Sequence, residues 1–442
     1  MNKYFDDNLF LTNVTAGYLY DKVRYLPIID FHSHLDSQAI YEDQPLNDIG
    51  RLWLEHDHYK WRIMRLNGVD EKYITGSVTY KEKFLAFAAV LEKAVASPVY
   101  YFAQMELKNI FNIQQPLTSE TAEEIYNQAN LVLSKHTIRS LLKMFNVDIV
   151  CTTDDPLSDL KYHGQFDGLK VLPTFRPDRL YDLNETYIKE MEILNGKPFD
   201  SLDDYLKFIN QRLDFFISKG CVISDHGFIN FPKVYATYEQ ASRIFINRHI
   251  AEQPQKDMFF GFILKCLMNE YKKRNLTMQI HFGPYRNVNN KMFERVGVDS
   301  GFDIMGDTEK VSSIVTFLNL YNDEERPNII LYPLNNTELS KYATLSGAFR
   351  NVNLGPAWWF NDSKEGIYHN LKVISEYASL GNNLGMLTDS RSFSSYVRFD
   401  FFRRILADFF GQLIEKGEYD LASAIKLMHH IAYKNSKMLM EG

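Results

Sequence analysis

Asp30, His32 and His34 alternate along Ile28-Ile29-Asp30-Phe31-His32-Ser33-His34, and residues two apart on a strand face the same way. On a strand these three project together, with Ile29, Phe31 and Leu35 facing the helices. Two imidazoles converging from one strand can share a divalent cation through neutral ring nitrogens. A bare H-x-H is more often a hydrogen-bonded surface pair. This one follows a run apolar enough to be a buried strand, which favours ligands. Far down the chain, Gly385-Met386-Leu387-Thr388-Asp389-Ser390-Arg391 offers a carboxylate that could serve as ligand, as proton acceptor, or as both. Taken alone, T-D-S-R would be an ordinary helix N-cap. Arg391 could pin that carboxylate or grip an anion with two parallel hydrogen bonds. Arg176, in Thr174-Phe175-Arg176-Pro177-Asp178, offers a second guanidinium fork for a carboxylate; the plainer alternative is a pair with Asp178.

These groups need a scaffold that carries residue 389 to residue 32. Eight short, largely apolar runs end in polar residues, at 27–34, 147–154, 171–176, 221–226, 278–283, 328–332, 351–358 and 384–389. Helical stretches separate them. Such alternation implies a parallel sheet buried on both faces, and eight units suggest closure. The expected fold is a (β/α)8 TIM-type barrel formed by residues 1–442 as a single unit, with its chemistry at the C-terminal strand ends. Those ends carry Asp30/His32/His34, Asp154/Asp155, Arg176, Asp225/His226, His281, Asn335/Asn336 and Asp389/Arg391. Closure sets the eighth run beside the first, so Asp389 can reach a metal held by His32 and His34.

Residues 40–145 interrupt the rhythm and read as a helical insertion after the first strand, since 80–96 and 120–144 lack Gly and Pro. Within it, Asp57-His58-Tyr59-Lys60-Trp61-Arg62 could bring His58 and Tyr59 over the barrel mouth. The plainer reading is an amphipathic turn with Trp53 and Trp61 as core. His281 and Asp225-His226 are candidate ligands or acid/base groups, although a lone buried histidine is more often a satisfied core residue. Trp358-Trp359 more often means packing than sugar stacking. Beyond Asp389, 396–410 and 421–440 read as closing helices.

Hydrophobic residues make up 45% and charged residues 24%, as in soluble globular proteins generally. A net charge of -7 without a Lys/Arg run argues against a nucleic-acid partner and leaves small molecules. Three cysteines with no C-x-x-C pair supply neither a disulfide framework nor a thiolate metal site. Cys151 and Cys221 sit in apolar runs as small buried hydrophobes, which suits a reducing cytoplasm. No apolar run approaches the roughly 18 residues that span a bilayer, and the N-terminus lacks a signal-type stretch. A cytoplasmic protein without a membrane partner is expected; a homo-oligomer is common for large barrels.

The I-I-D-F-H-S-H opening, the distant Asp389 and the barrel rhythm resemble the amidohydrolase superfamily. Within it the chain is similar, nearly end to end, to the uronate (glucuronate) isomerases. The carriers are P-I-I-D-F-H-S-H-L, W-L-E-H-D-H-Y-K-W-R-I-M-R, C-T-T-D-D-P, T-F-R-P-D, S-D-H-G, Q-I-H-F-G-P-Y-R-N, G-V-D-S-G-F-D-I-M-G-D and L-T-D-S-R. H-x-H marks only the superfamily; D-H-Y-K-W-R and F-R-P-D are far more specific. The resemblance implies one divalent ion on His32, His34 and Asp389, zinc foremost with manganese or iron suited to the same donors, and His281 near it. It implies substrate contacts from His58, Tyr59, Arg176 and Arg391.

The implied reaction takes D-glucuronate to D-fructuronate and D-galacturonate to D-tagaturonate by C2–C1 proton transfer through an enediolate. Asp389 would be the base, with Tyr59 or His58 donating to the carbonyl oxygen. No lysine ends the fourth strand at Ser224-Asp225-His226, and no histidine ends the sixth at Tyr332-Pro333-Leu334-Asn335, so a carbamate-bridged metal pair is not expected. Two other readings compete: a mononuclear metal-dependent hydrolase on the same barrel, and a sugar-acid-binding protein without turnover. The full set of polar strand ends argues against the second.

Overall fold

The computed structural model describes residues 4–307 and 310–441. Its strands are β1 (Ile28–Asp30), β2 (Val147–Cys151), β3 (Gly164–Phe166), β4 (Leu169–Leu172), β5 (Ile223–Phe228), β6 (Thr277–Phe282), β7 (Pro284–Tyr285), β8 (Ile304–Met305), β9 (Ile329–Pro333) and β10 (Val352–Leu354). β1, β2 and β4 run parallel side by side, as do β5, β6, β9 and β10. Phe175, just past β4, joins the two sets through parallel bridges to Asp154 and Ser224. Seven staves therefore follow one another in chain order. β3 folds back on β4 as a hairpin, where Asp167 and Gly168 both take positive φ, the geometry of a type I′ turn.

The eighth run, 384–389, departs from expectation because it forms no regular strand. Gly385 and Asp389 both lie at positive φ (80° and 45°), which interrupts an extended ladder. The run still closes the barrel against the first stave. Asp389 N donates to His32 O (3.1 Å), and His34 N donates to Ser390 O (3.0 Å). Buried Asp30 accepts from Thr388 N (3.0 Å) and Thr388 Oγ1 (2.6 Å). Asp30 thus anchors the residue before Asp389 instead of joining His32 and His34.

The facing of the first stave also differs. Ile29 and Phe31 pack in one cluster with Cys151, Ile223, Ile330 and Leu387, from four other staves, so they point into the barrel. The register shifts between Ile28 and Ile29 and the ladder ends at Asp30, so strict alternation is lost.

Between β1 and β2 the chain forms helices Ser37–Glu42, Ile49–Leu54, His58–Leu66, Tyr80–Leu91, Pro98–Phe111, Ala122–Leu133 and Ile138–Met144. Their starts are legible: Thr79 and Glu82 make a capping box, and Ser97 caps a helix with Pro98 in its first turn. The 120–144 stretch is two helices, because Thr137 caps a new one by accepting from Ser140 N (3.3 Å). Trp53, Phe84, Phe87, Leu107 and Ile125 form a buried cluster of their own.

At the C-terminus Val397–Glu415 is one long helix, while 421–440 breaks into Leu421–His429, a π-turn at His430–Lys434 and Asn435–Glu441. Met440 reaches back to the barrel interior, its sulfur 3.8 Å from Cys151 Sγ. Among the described residues no helix is long and apolar enough to cross a membrane.

Candidate active site

A cavity of about 330 Å³ opens where the stave ends meet, within the range of small-molecule sites. His32, His34, His58, Tyr59, Arg176, His281, Asp389 and Arg391 all line it. The structure therefore brings these eight candidates to one place, while Asp30, Asp225 and His226 do not line the cavity. Asp154, Asp155, Asn335 and Asn336 also end staves but do not line this cavity.

On the first and eighth staves, His32 Nε2 and His34 Nε2 lie 3.2 and 3.1 Å from Asp389 Oδ1. Burial opposes ionisation of Asp389, but both imidazoles outweigh it and hold the carboxyl well below the usual range. A second set shares His32. Its Nδ1 lies 3.7 Å from Asp225 Oδ2, and His281 Nδ1 donates to Asp225 Oδ1 at 2.7 Å. The His281 ring stacks on His32 (4.5 Å) and on Tyr332 (4.2 Å), while burial pushes its pKa down to about 4 and keeps it neutral. His32 Nδ1 and His281 Nε2 are buried with no hydrogen-bond partner among the described residues. Both sets gather their donor atoms within 4.8 Å, so these residues could hold a metal ion. Orphaned imidazole nitrogens beside ionised carboxylates are the donor chemistry a divalent cation requires.

Asp57 builds the opposite wall. As N-cap of the helix His58–Leu66 it accepts from Tyr59 N (3.0 Å), Lys60 N (3.1 Å) and Lys60 Nζ (2.6 Å). The helix start is thereby fixed with His58 and Tyr59 stacked 4.7 Å apart at the cavity. Burial lowers the His58 pKa, so its imidazole is neutral at neutral pH, and raises that of Tyr59 well above the ordinary phenol value, so the phenol keeps its proton.

The two arginines differ. Arg176 Nε donates to Asp178 Oδ2 (2.6 Å) and Nη1 donates to Asp225, so its fork arrives already engaged by two carboxylates. Gly227 lets it pass: a Cβ there would lie 2.0 Å from Arg176 Nη2. Arg391 pairs with Asp299 (2.9 Å), and no bond to Asp389 forms. Nor is Asp389 an N-cap, since the next helix begins at Val397. His226 is a core histidine, bonded to the Tyr181 hydroxyl and held down to about 3 by burial. Trp358 packs edge-on to His281 at 4.6 Å, and Trp359 lies 5.9 Å from His58.

Asp178, Arg286, Asp299 and Asp303 also line the cavity. The Asp178 pairing with Arg176 was one of two readings of that segment, whereas the pairings of Arg286, Asp299 and Asp303 across loops leave no mark in a sequence. Arg398, the second residue of the helix Val397–Glu415, had no signal at all. It donates to Asp362 Oδ2 (3.1 Å) and to Thr388 O (2.6 Å), and lies 5.4 Å from the Tyr59 ring.

A family model described as glucuronate isomerase matches residues 1–440. A uronate isomerase from Caldicellulosiruptor saccharolyticus is 38% identical over 459 residues, covering 99% of each chain. The chain belongs to the uronate isomerase family. The crystal structure of uronate isomerase from Thermotoga maritima matches with a TM-score of 0.95 at 35% identity, over 99% of this chain and 100% of that one. The glucuronate isomerase from Caulobacter crescentus matches with a TM-score of 0.92 at 26% identity, over 99% and 96%. Uronate isomerase membership makes the chain an enzyme of the isomerase class on a (β/α)8 barrel. It also disfavours the hydrolase reading, in keeping with a fourth stave that ends without lysine.

Proposed function

We propose that this chain interconverts D-glucuronate with D-fructuronate, and D-galacturonate with D-tagaturonate, by moving a proton between C2 and C1. The observation that carries this reading is the convergence of His32 and His34 on Asp389, facing the His58–Tyr59 pair across one cavity. His32, His34 and Asp389 would hold one divalent ion, zinc first and manganese or iron by the same donor chemistry, with His281 beside it. When bound, such an ion supplies Lewis acidity toward the substrate's oxygens.

The chain's own groups account for the proton. Ionised Asp389 accepts it from C2, and the Tyr59 hydroxyl, or the ring N–H of neutral His58, donates toward the C1 carbonyl oxygen. Return of that proton to C1, with the C2 hydroxyl proton passing back to the group that protonated the C1 oxygen, completes the isomerisation without net change. Arg391 takes the substrate carboxylate, with Arg176 contributing what its two partners leave free. We read residues 40–145 as an insertion within a single barrel unit, since they pack a cluster of their own yet deliver His58 and Tyr59 to the cavity. Three free cysteines suit the reducing cytoplasm.

Purified protein supplied with metal is expected to form ketose from D-glucuronate and from D-galacturonate, to lose activity to a chelator, and to regain it with zinc, manganese or iron. No ketose from either acid would sink the reading. His32→Ala is expected to lower bound metal below one ion per chain, by elemental analysis, while the far-UV circular dichroism stays native. Two tightly held ions in the parent protein would instead revive the hydrolase alternative.

A further inference from the structure

Arg391 and Arg286 both reach the cavity mouth, and each is held by a carboxylate from the loop that precedes β8. The two pairs are built differently. Asp303 is buried, accepts from Arg286 Nη1 (3.0 Å) and Asn287 N (2.7 Å), and gives its own carbonyl to Arg62 (3.1 Å). It is part of the loop's framework. The Asp299 side chain is 48% exposed, and its only hydrogen bond among the described residues is the one from Arg391 Nη2 at 2.9 Å.

The loop holding Asp299 is strapped to the helix that carries His58 and Tyr59. Arg65 donates to Ser300 O and lies 4.3 Å from the Phe302 ring centroid. Gly301, at φ 89°, brings the backbone so near that a Cβ would sit 3.0 Å from His58 O. Asp299 is thus delivered over the cavity by a fixed backbone, while its carboxylate has a single hydrogen-bond partner among the described residues.

We infer that Asp299 is a competing counter-ion, which occupies Arg391 until the carboxylate of a hexuronate displaces it. This rests on the reading that Arg391 takes the substrate carboxylate. An exposed, singly bonded pair is weak and screened by solvent. A substrate carboxylate can use two N–H groups of the same guanidinium and wins the exchange. Asp299 must leave the guanidinium before a ligand can take it, so it weakens every carboxylate that Arg391 binds, substrate and product alike.

The test is Asp299→Asn, which keeps the shape and removes the competing charge. The KM for D-glucuronate is expected to fall about two- to fivefold, the scale of an exposed ion pair, and kcat is not expected to rise. A merely structural role would raise KM. In an Arg391→Met background the same substitution is expected to leave KM unmoved, because Asp299 acts through that guanidinium. A KM that rises in Asp299→Asn would overturn the inference. A fall that persists without Arg391 would overturn it as well. Parent turnover separates the two failures: an inactive parent protein removes the functional reading and this inference together, whereas an active parent with an unimproved Asp299→Asn removes only the inference.

Discussion

Asp389→Asn is expected to lower kcat by about three orders of magnitude or more, with KM changing far less. General acid–base catalysis alone contributes roughly 10²–10⁴-fold, and this carboxylate is placed to act as base and as metal ligand together. Asn is nearly isosteric, and the contacts that set the position are backbone ones: Asp389 N to His32 O and His34 N to Ser390 O survive the change. The charge does not survive. His32 and His34 hold the carboxyl well below its ordinary range, so the parent protein carries the anion throughout neutral pH, and the amide cannot accept a proton from C2. Steady-state kinetics with metal content measured in parallel separate loss of the base from loss of the ion. A metal-replete Asp389→Asn enzyme within tenfold of the parent kcat would overturn the base assignment and move it to His58 or Tyr59.

What made this residue findable from sequence is the regularity of its scaffold. Apolar runs that end in polar residues recur eight times, and closure of eight staves forces the last beside the first. The separation of His32 and Asp389 along the chain is then no obstacle. His58 and Tyr59 were legible only through the D-H-Y-K-W-R resemblance; the structure supplies the physical reason, since Asp57 caps the helix and so fixes the first turn that faces the cavity. What could not be read are features decided by pairing. The Arg176–Asp178 pair was open to reading at two residues' separation, but the second claim on that fork, Asp225, lies 49 positions away. The facing of Ile29 and Phe31 follows from a register shift against β2, which no period-two count contains. Positive φ at Asp389 ends the eighth stave early, and Asp residues tolerate that region well enough that the sequence offers no warning.

Arg398 lies at the limit of such reading, and its replacement carries the largest expected effect on stability. Arg398→Met is expected to cost about 3–5 kcal/mol near neutral pH, because it leaves the buried Asp362 carboxylate without its cation. Methionine keeps most of the stem that packs beside Phe102 and Tyr59, so the loss is chiefly electrostatic. Its dependence on pH follows from Asp362. Burial lifts that carboxyl from 3.8 to about 6 even with Arg398 beside it. The folded state therefore holds the proton more firmly than the unfolded one, and stability declines as pH rises from near 4 toward 6, then levels. Without the guanidinium the folded pKa rises further, so the decline continues above pH 6. The deficit of the variant is expected to be small at about pH 5 and largest at about pH 8, as read by urea unfolding at both. Equal deficits at the two would show that packing, not the ion pair, sets the cost. The same guanidinium holds Thr388 O, one residue before Asp389, and lies beside the Tyr59 ring. One buried cation therefore fixes the backbone of the proposed base and the surroundings of the proposed donor, and kcat is expected to fall at pH 5 even where stability is nearly restored.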